Sequence, residues 1–272
     1  MNKLKVLIFP ILIFSLSGCG GGANRYDNLY KEFYKPNQSI VDRLNNSKED
    51  YQKLKDGETP QIINSRESDV DNDLLKLKSQ GYEVIGVSSF IGEKESDKNL
   101  IKYANSVGAT LVLLVNTYEG RETETNTVYI PQTARTSYRG SYGSGSARTT
   151  YNAPINFTNS YEMIGQGAFY LVKNLKKSKF GLVIGDLTEK VKQQLERNTG
   201  ALVNVVMDDS PAFYSNIIRG DVIIKVDDAT INSADEALKA MGGVSPSATE
   251  AVLTIVRKGK TKKIVVHFKG NL

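Results

Sequence analysis

Residues 109–116 read Ala-Thr-Leu-Val-Leu-Leu-Val-Asn, with apolar side chains at odd and even positions alike. Successive side chains of an extended strand point to opposite faces, so a run apolar on both parities has to be covered on both sides. Such a strand belongs inside a sheet flanked by helices, and the preceding sequence supplies them. Residues 61–64 read as a short strand after Pro60. Residues 68–78 read as an amphipathic helix with Ser68 as N-cap, early acids Asp69, Asp71 and Asp73, and apolar Val70, Leu74 and Leu77. A β-rich run at 82–90 follows, then a second helix at 97–107 with Leu100, Ile101, Ala104 and Val107 on one side. The order β-α-β-α-β predicts a parallel sheet with right-handed crossovers. Further on, 123–136 and 161–175 read as strands that add antiparallel partners at one side of the sheet, with Gly165 and Gly167 at bulge or close-approach positions. The expectation is a small α/β domain of three to five strands over residues 59–175.

Composition narrows the function classes. The chain has 272 residues, 40% apolar and 24% charged, which excludes a polytopic membrane protein, collagen and a wholly disordered chain. One Cys and one His exclude a disulfide framework and a Cys/His structural zinc site, and no cofactor or metal signature is found. A net charge of +5 is too small to argue for nucleic acid, and removal of Lys3 and Lys5 with a leader lowers it further.

The leader is legible. Lys3 and Lys5 precede an apolar run at 6–16 interrupted by Pro10 and Ser15, too short to span a bilayer at roughly twenty residues. Leu16-Ser17-Gly18-Cys19 then resembles the bacterial lipoprotein signal. The resemblance implies a signal peptide over 1–18, acylation of Cys19 and anchoring in the bilayer. Gly20, in place of an Asp, implies outer-membrane sorting, facing the periplasm. Two or more acyl chains anchor stably where one is marginal. Residues 19–58 read as tether and spacer with one marginal helix at 39–54, the spacing of Tyr26, Tyr30, Phe33 and Tyr34 fitting a helical face that docks on the next domain. The segment GYEVIGVSSF with the following Gly108-Ala109 strand resembles a domain of uncharacterised bacterial lipoproteins, which implies a fold and no chemistry.

Residues 134–151 hold three Gly, four Ser, three Tyr, three Arg and no acid. They read as a flexible hairpin tip. The interleaving of Arg and Tyr leaves a glycan-facing surface as a lesser alternative. The spacing G-x-S-x-G of a nucleophile elbow does not occur there.

From residue 179 the chain runs KFGLVIGDLTEKVKQQL, GALVNVVMDDSPA, IIRGDVIIKVDDATINSADEALKAM and EAVLTIVRKGKTKKIVVHF. Ser210 and Pro211 read as N-cap and first helical residue, and Ser233 with Glu236 as a capping box opening a helix at 234–241. With Arg219-Gly220-Asp221-Val222-Ile223 and the Asp227-Asp228 turn, these segments resemble a PDZ domain in the permuted arrangement of the bacterial high-temperature-requirement envelope proteases. The resemblance implies a β-sandwich or barrel with two helices over residues 176–272. It also implies peptide capture by β-augmentation on an edge strand at 182–185. Phe180, Gly181, Leu182, Val183 and Ile184 would form the loop and edge, and Ala234, Leu238 and Met241 the facing helix wall. Lys176, Lys177 and Lys179 would attract the ligand carboxylate. Ala234 cannot donate a hydrogen bond, so an apolar terminal residue is the expected preference.

No stretch combines a nucleophile, a base and an orienting partner, and the only imidazole is His267. The expected function is a non-catalytic adaptor of the cell envelope that binds the C-terminal tail or strand of another envelope protein. An accessory or regulatory subunit of an envelope enzyme or protease, or a glycan-facing structural lipoprotein, is the alternative, and the sequence sets no oligomeric state.

Overall fold

The computed structural model describes residues 28–176 and 178–268, the Tyr138 side chain apart. Cys19, its signal and the glycine tether lie outside the described residues, as does Lys177.

The first unit contains α1 (Leu29–Glu32), β1 (Tyr34–Pro36), α2 (Gln38–Asn46), β2 (Gln61–Ser65), α3 (Val70–Ser79), β3 (Tyr82–Gly92), α4 (Asp97–Ser106), β4 (Leu111–Gly140) and β5 (Gly143–Lys173). Its sheet has the order β1-β3-β5-β4-β2. The run that is apolar on both parities is buried on both faces. Val112 and Leu114 join Leu100 and Ala104 of α4 and Tyr30 of α1 on one side, while Leu111 and Leu113 meet Leu77 of α3 on the other. This three-layer α/β arrangement is the one that parity requires.

Several expectations are corrected. Among the described residues only β2 and β4 pair in parallel. β5 is inserted between β3 and β4, antiparallel to both, rather than added at one side. The segment read as a spacer is part of the sheet unit: β1 extends the β3 edge, and Tyr51 is buried and bridges to Asn174. The tip at 134–151 is no loose loop, because β4 and β5 stay paired up to Gly140 and Gly143. Arg and Tyr do not interleave there, since the period of two sends Arg135 and Arg148 to one face and Tyr151 to the other.

Close approach explains one glycine. A Cβ on Gly86 would lie 2.3 Å from the Tyr34 ring, which crosses it to reach Tyr103 and Tyr170 with centroids 5.3 and 5.5 Å away. Burial raises the Tyr30, Tyr34 and Tyr170 phenols above their ordinary range and pushes Tyr103 up to about 12. The fold keeps these groups protonated, whereas the unfolded chain ionises near pH 10. Their contribution is present below about pH 10 and is lost as pH rises above it. A spectrophotometric titration at 295 nm should leave this group un-ionised until the sheet unit unfolds. Reversible ionisation of all 14 tyrosines near pH 10 would refute the cluster.

The second unit contains β6 (Leu182–Gly185), α5 (Glu189–Leu195), β7 (Ala201–Val206), α6 (Pro211–Tyr214), β8 (Val222–Val226), β9 (Ala229–Thr230), α7 (Ala234–Gly243), β10 (Glu250–Arg257) and β11 (Lys260–His267). The strand order is β11-β10-β8-β7-β6, with β9 paired to β8. Its main core joins Phe180, Val203, Ile223, Leu253 and Ile255 with Ala212 of α6 and Ala237 of α7, while α5 covers Leu202 and Val222 on the other face. The chain is thus a mixed α/β unit followed by a mainly-β one. Asp208 N–H donates to the Ser79 carbonyl at 2.8 Å where the two meet.

Candidate functional site

β6 is the terminal strand of its sheet, and among the described residues its outer edge pairs with no other strand. α7 packs beside it. The Ala234 N–H at the start of α7 donates to Asp186 Oδ1 at 2.9 Å, just past the end of β6. Ser233 caps the same helix by accepting from Glu236 N–H at 3.3 Å. The returning Glu236 carboxylate accepts from Asn232 N–H at 2.8 Å, one residue before the position a capping box would use.

The loop into β6 turns at Gly181, whose φ is +72°. Its carbonyl accepts from Met207 N–H at 2.8 Å, and Phe180 C=O accepts from Ala212 N–H at 3.0 Å. The backbone donors of this loop are only partly free, because Gly181 N–H already donates to Ser178 Oγ at 3.3 Å. Lys179 does not reach outward for a carboxylate either. Its Nζ donates to the Val244 and Ser245 carbonyls past the C-terminal end of α7 and lies 4.5 Å over the Phe268 ring. A cation there complements the helix dipole and ties the loop to the helix. Lys176 is exposed, with Nζ 3.8 Å from Asp50 Oδ2.

The structure places the eight predicted groove residues on one strand, one loop and one helix, with unequal roles. Phe180, Leu182, Ala234 and Met241 are buried, and Phe180, Leu182 and Met241 belong to the main core of this unit. Ile184 is half-buried against the same core. Leu238 is 55% exposed although it lies one turn from Ala234, which makes it an apolar side chain left open on α7. Val183 is 45% exposed and points away from Leu182 and Ile184, so it offers a ligand main chain alone.

Sequence reasoning missed the bracing of this unit. Asp221 is fully buried and accepts two bonds of 2.7 Å from Arg257 Nε and Nη2, together with Ile218 N–H at 3.0 Å. Arg257 also donates to the Asn216 carbonyl at 2.8 Å, and its hydrogen bond to Asp221 raises its already high pKa. The signal was the acid in Arg219-Gly220-Asp221, but its partner lies 36 residues away. His267 sits on β11 with Nδ1 3.2 Å from Glu250 Oε2, both side chains exposed.

A family model described as PDZ domain matches residues 174–268. Residues 174–268 are a PDZ domain. The match starts two residues before the boundary expected from the sequence. Among curated proteins, a probable periplasmic serine endoprotease DegP-like of Buchnera aphidicola subsp. Schizaphis graminum is 31% identical over 125 residues, covering 44% of this chain and 26% of that protein. A probable periplasmic serine endoprotease DegP-like of Pseudomonas fulva is 34% identical over 88 residues, covering 32% and 18%. The chain therefore spans about a quarter or less of the length of these relatives. Among solved structures, the HtrA3 PDZ domain bound to a phage-derived ligand, FGRWV, is 21% identical with a TM-score of 0.29, covering 34% of this chain and 84% of that one. A PDZ domain protein from Parabacteroides distasonis is 8% identical with a TM-score of 0.22, covering 86% and 75%.

Proposed function

We propose that this chain is a non-catalytic, lipid-anchored adaptor of the bacterial envelope whose PDZ groove holds the C-terminal tail or exposed strand of another envelope protein. The observation that carries the reading is the unpaired outer edge of β6 beside the exposed Leu238 of α7. An extended peptide adds its main chain to such an edge and sets its last side chain over the apolar floor. The Ala234 side chain offers no hydrogen-bond donor at the helix start, which favours an apolar terminal residue. Similarity to probable periplasmic endoproteases supports a periplasmic setting. The same similarity favours one second reading, an accessory subunit that recruits substrates to an envelope protease. Cys19 supplies the anchor in both.

Titration of the full chain with a fluorescent library of C-terminal peptides tests the groove. Peptides with apolar termini should bind with micromolar Kd, and amidation of the terminus should weaken them. Leu238→Lys should cost about tenfold or more in affinity, equivalent to about 1.4 kcal/mol, with little change in Tm because the side chain is exposed. Equal affinity for wild type and Leu238→Lys would remove the groove from the function. Degradation of β-casein by the purified chain would overturn the non-catalytic part.

A further inference from the structure

The two central strands of the sheet unit run far beyond it. β2 accompanies β4 only to Val115, and β3 meets β5 only from Ile164 onward. The β4–β5 ladder nevertheless continues from Arg121 opposite Glu162 to Gly140 opposite Gly143. That is a two-stranded arm about 65 Å long at roughly 3.3 Å per residue. Such a ribbon is marginal in water, and its two long edges offer unpaired backbone groups.

Its two faces differ. The register sets Val128 opposite Ile155 and Ile130 opposite Ala153, with Phe157 and Tyr151 on the same face. Val128, Ile130, Tyr151 and Phe157 are all exposed. The other face carries hydroxyl and amide pairs, in which Thr125 and Thr158 lie 3.3 Å apart, Thr127 donates to Asn156 at 2.8 Å, and Thr133 and Thr150 lie 3.4 Å apart, with Tyr129, Pro131 and Pro154 between them. Residues 125–134 and 149–161 contain no charge at all. Charges resume at the root with Arg121, Glu122, Glu124 and Glu162, and towards the tip with Arg135, Arg139 and Arg148.

An uncharged stretch of about ten residues, with its aliphatic side chains on one face between Asn126 and Gln132 and its threonines on the other, matches the roughly 9–11 residues with which a tilted strand crosses a bilayer. The tip adds an independent observation. Arg135 stands directly opposite Arg148, and no acid occurs from Thr125 to Tyr161. Like charges so placed repel in water but suit the phosphates beyond the hydrocarbon layer.

We propose that residues 121–162 are a membrane-spanning β-hairpin that closes into a barrel with the same arm of further copies of this chain. The apolar face meets acyl chains and the threonine face lines the interior. Lipid offers no partner for backbone N–H and C=O groups, so the open edges have to pair with neighbouring arms. Eight strands make the smallest such barrel, which requires at least about four copies. Pro131 and Pro154 have no N–H and add no unmatched donor along those edges. The inference does not depend on the PDZ groove.

The chain has no tryptophan, so one introduced indole reports on one face. Ile155→Trp and Thr127→Trp, each in the full chain, are mixed with phosphatidylcholine–phosphatidylglycerol vesicles carrying brominated acyl chains. Ile155→Trp should be quenched severalfold more than Thr127→Trp, and adding Val128→Arg should abolish that difference. Cross-linking of the vesicle-bound protein should yield tetramers or larger species. Both sites lie on the exposed arm, and an unchanged Tm in each variant verifies that the body of the protein is folded. Equal quenching on both faces, or none, overturns the proposal. So does a concentration-dependent blue shift of Ile155→Trp without lipid, which would mean that a second copy covers this face in water.

Discussion

Asp221→Ala should destabilise the PDZ domain by about 3–5 kcal/mol, the usual cost of removing one partner of a buried ion pair. The substitution leaves the Arg257 guanidinium, whose side chain is 16% exposed, facing an empty site. It also strands the Ile218 N–H that the carboxylate accepts. One kcal/mol moves the Tm of a domain of this size by about 4–8 °C, so calorimetry of the full chain should show the PDZ transition fall by roughly 12–40 °C. Asp221→Asn keeps the shape and one acceptor and should lose less. The double variant Asp221→Leu with Arg257→Met should recover much of the loss, because an apolar pair leaves no buried charge unmatched. A Tm for Asp221→Ala within a few degrees of wild type would mean that water replaces the carboxylate and the brace contributes little.

The second large effect is expected at Gly181. With φ at +72°, any Cβ there adopts the left-handed conformation at a cost of about 1–2 kcal/mol. That Cβ would also lie 2.0 Å from the Ser210 Cβ, and relieving the overlap adds about 1–3 kcal/mol. Gly181→Ala should therefore lose about 2–5 kcal/mol in urea unfolding of the full chain. Ser210→Gly in the same chain separates the two causes. It removes the clashing Cβ and the helix cap that Ser210 Oγ provides to Phe213 N–H at 3.2 Å. A cap replaced by glycine loses only a few tenths of a kcal/mol. The double variant should thus be more stable than Gly181→Ala alone. Additive losses instead would show that the backbone conformation, and not the contact with Ser210, requires the glycine. Bulky substitutions at Gly181 test folding rather than ligand binding, which is why Leu238 is the better probe of the groove.

Local chemistry was legible in the sequence. Ser210 and Ser233 cap helices as their positions suggested, each accepting from the N–H three residues on, and Ser96 does the same at the start of α4. Ser68 is the exception. α3 starts at Val70 behind Asp69, and Ser68 Oγ donates to the Asp69 carboxylate at 3.2 Å instead. Two neighbouring polar side chains compete for one cap, and periodicity cannot choose between them. The insertion of β5 between β3 and β4 was equally hidden, because strand order depends on contacts between residues such as Val84 and Leu171, which no local pattern records. The inward packing of Tyr30, Tyr34 and Tyr51 looked like a docking spacer because their apolar partners are spread over three later elements.

Hydrophobic parity and capping by themselves determined that this chain contains a strand covered on two faces and a set of capped helices, while the edge strand at 182–185 was implied by the resemblance to a PDZ domain. Parity and caps are set by neighbours one to four residues apart, where backbone geometry leaves few choices. Only tertiary structure decided which side chains the edge strand and helix leave open, that Asp221 and Arg257 meet, and that β4 and β5 remain paired far outside the sheet. Each of these depends on groups distant in sequence, and their energies arise from burial and pairing that exist once the chain has folded.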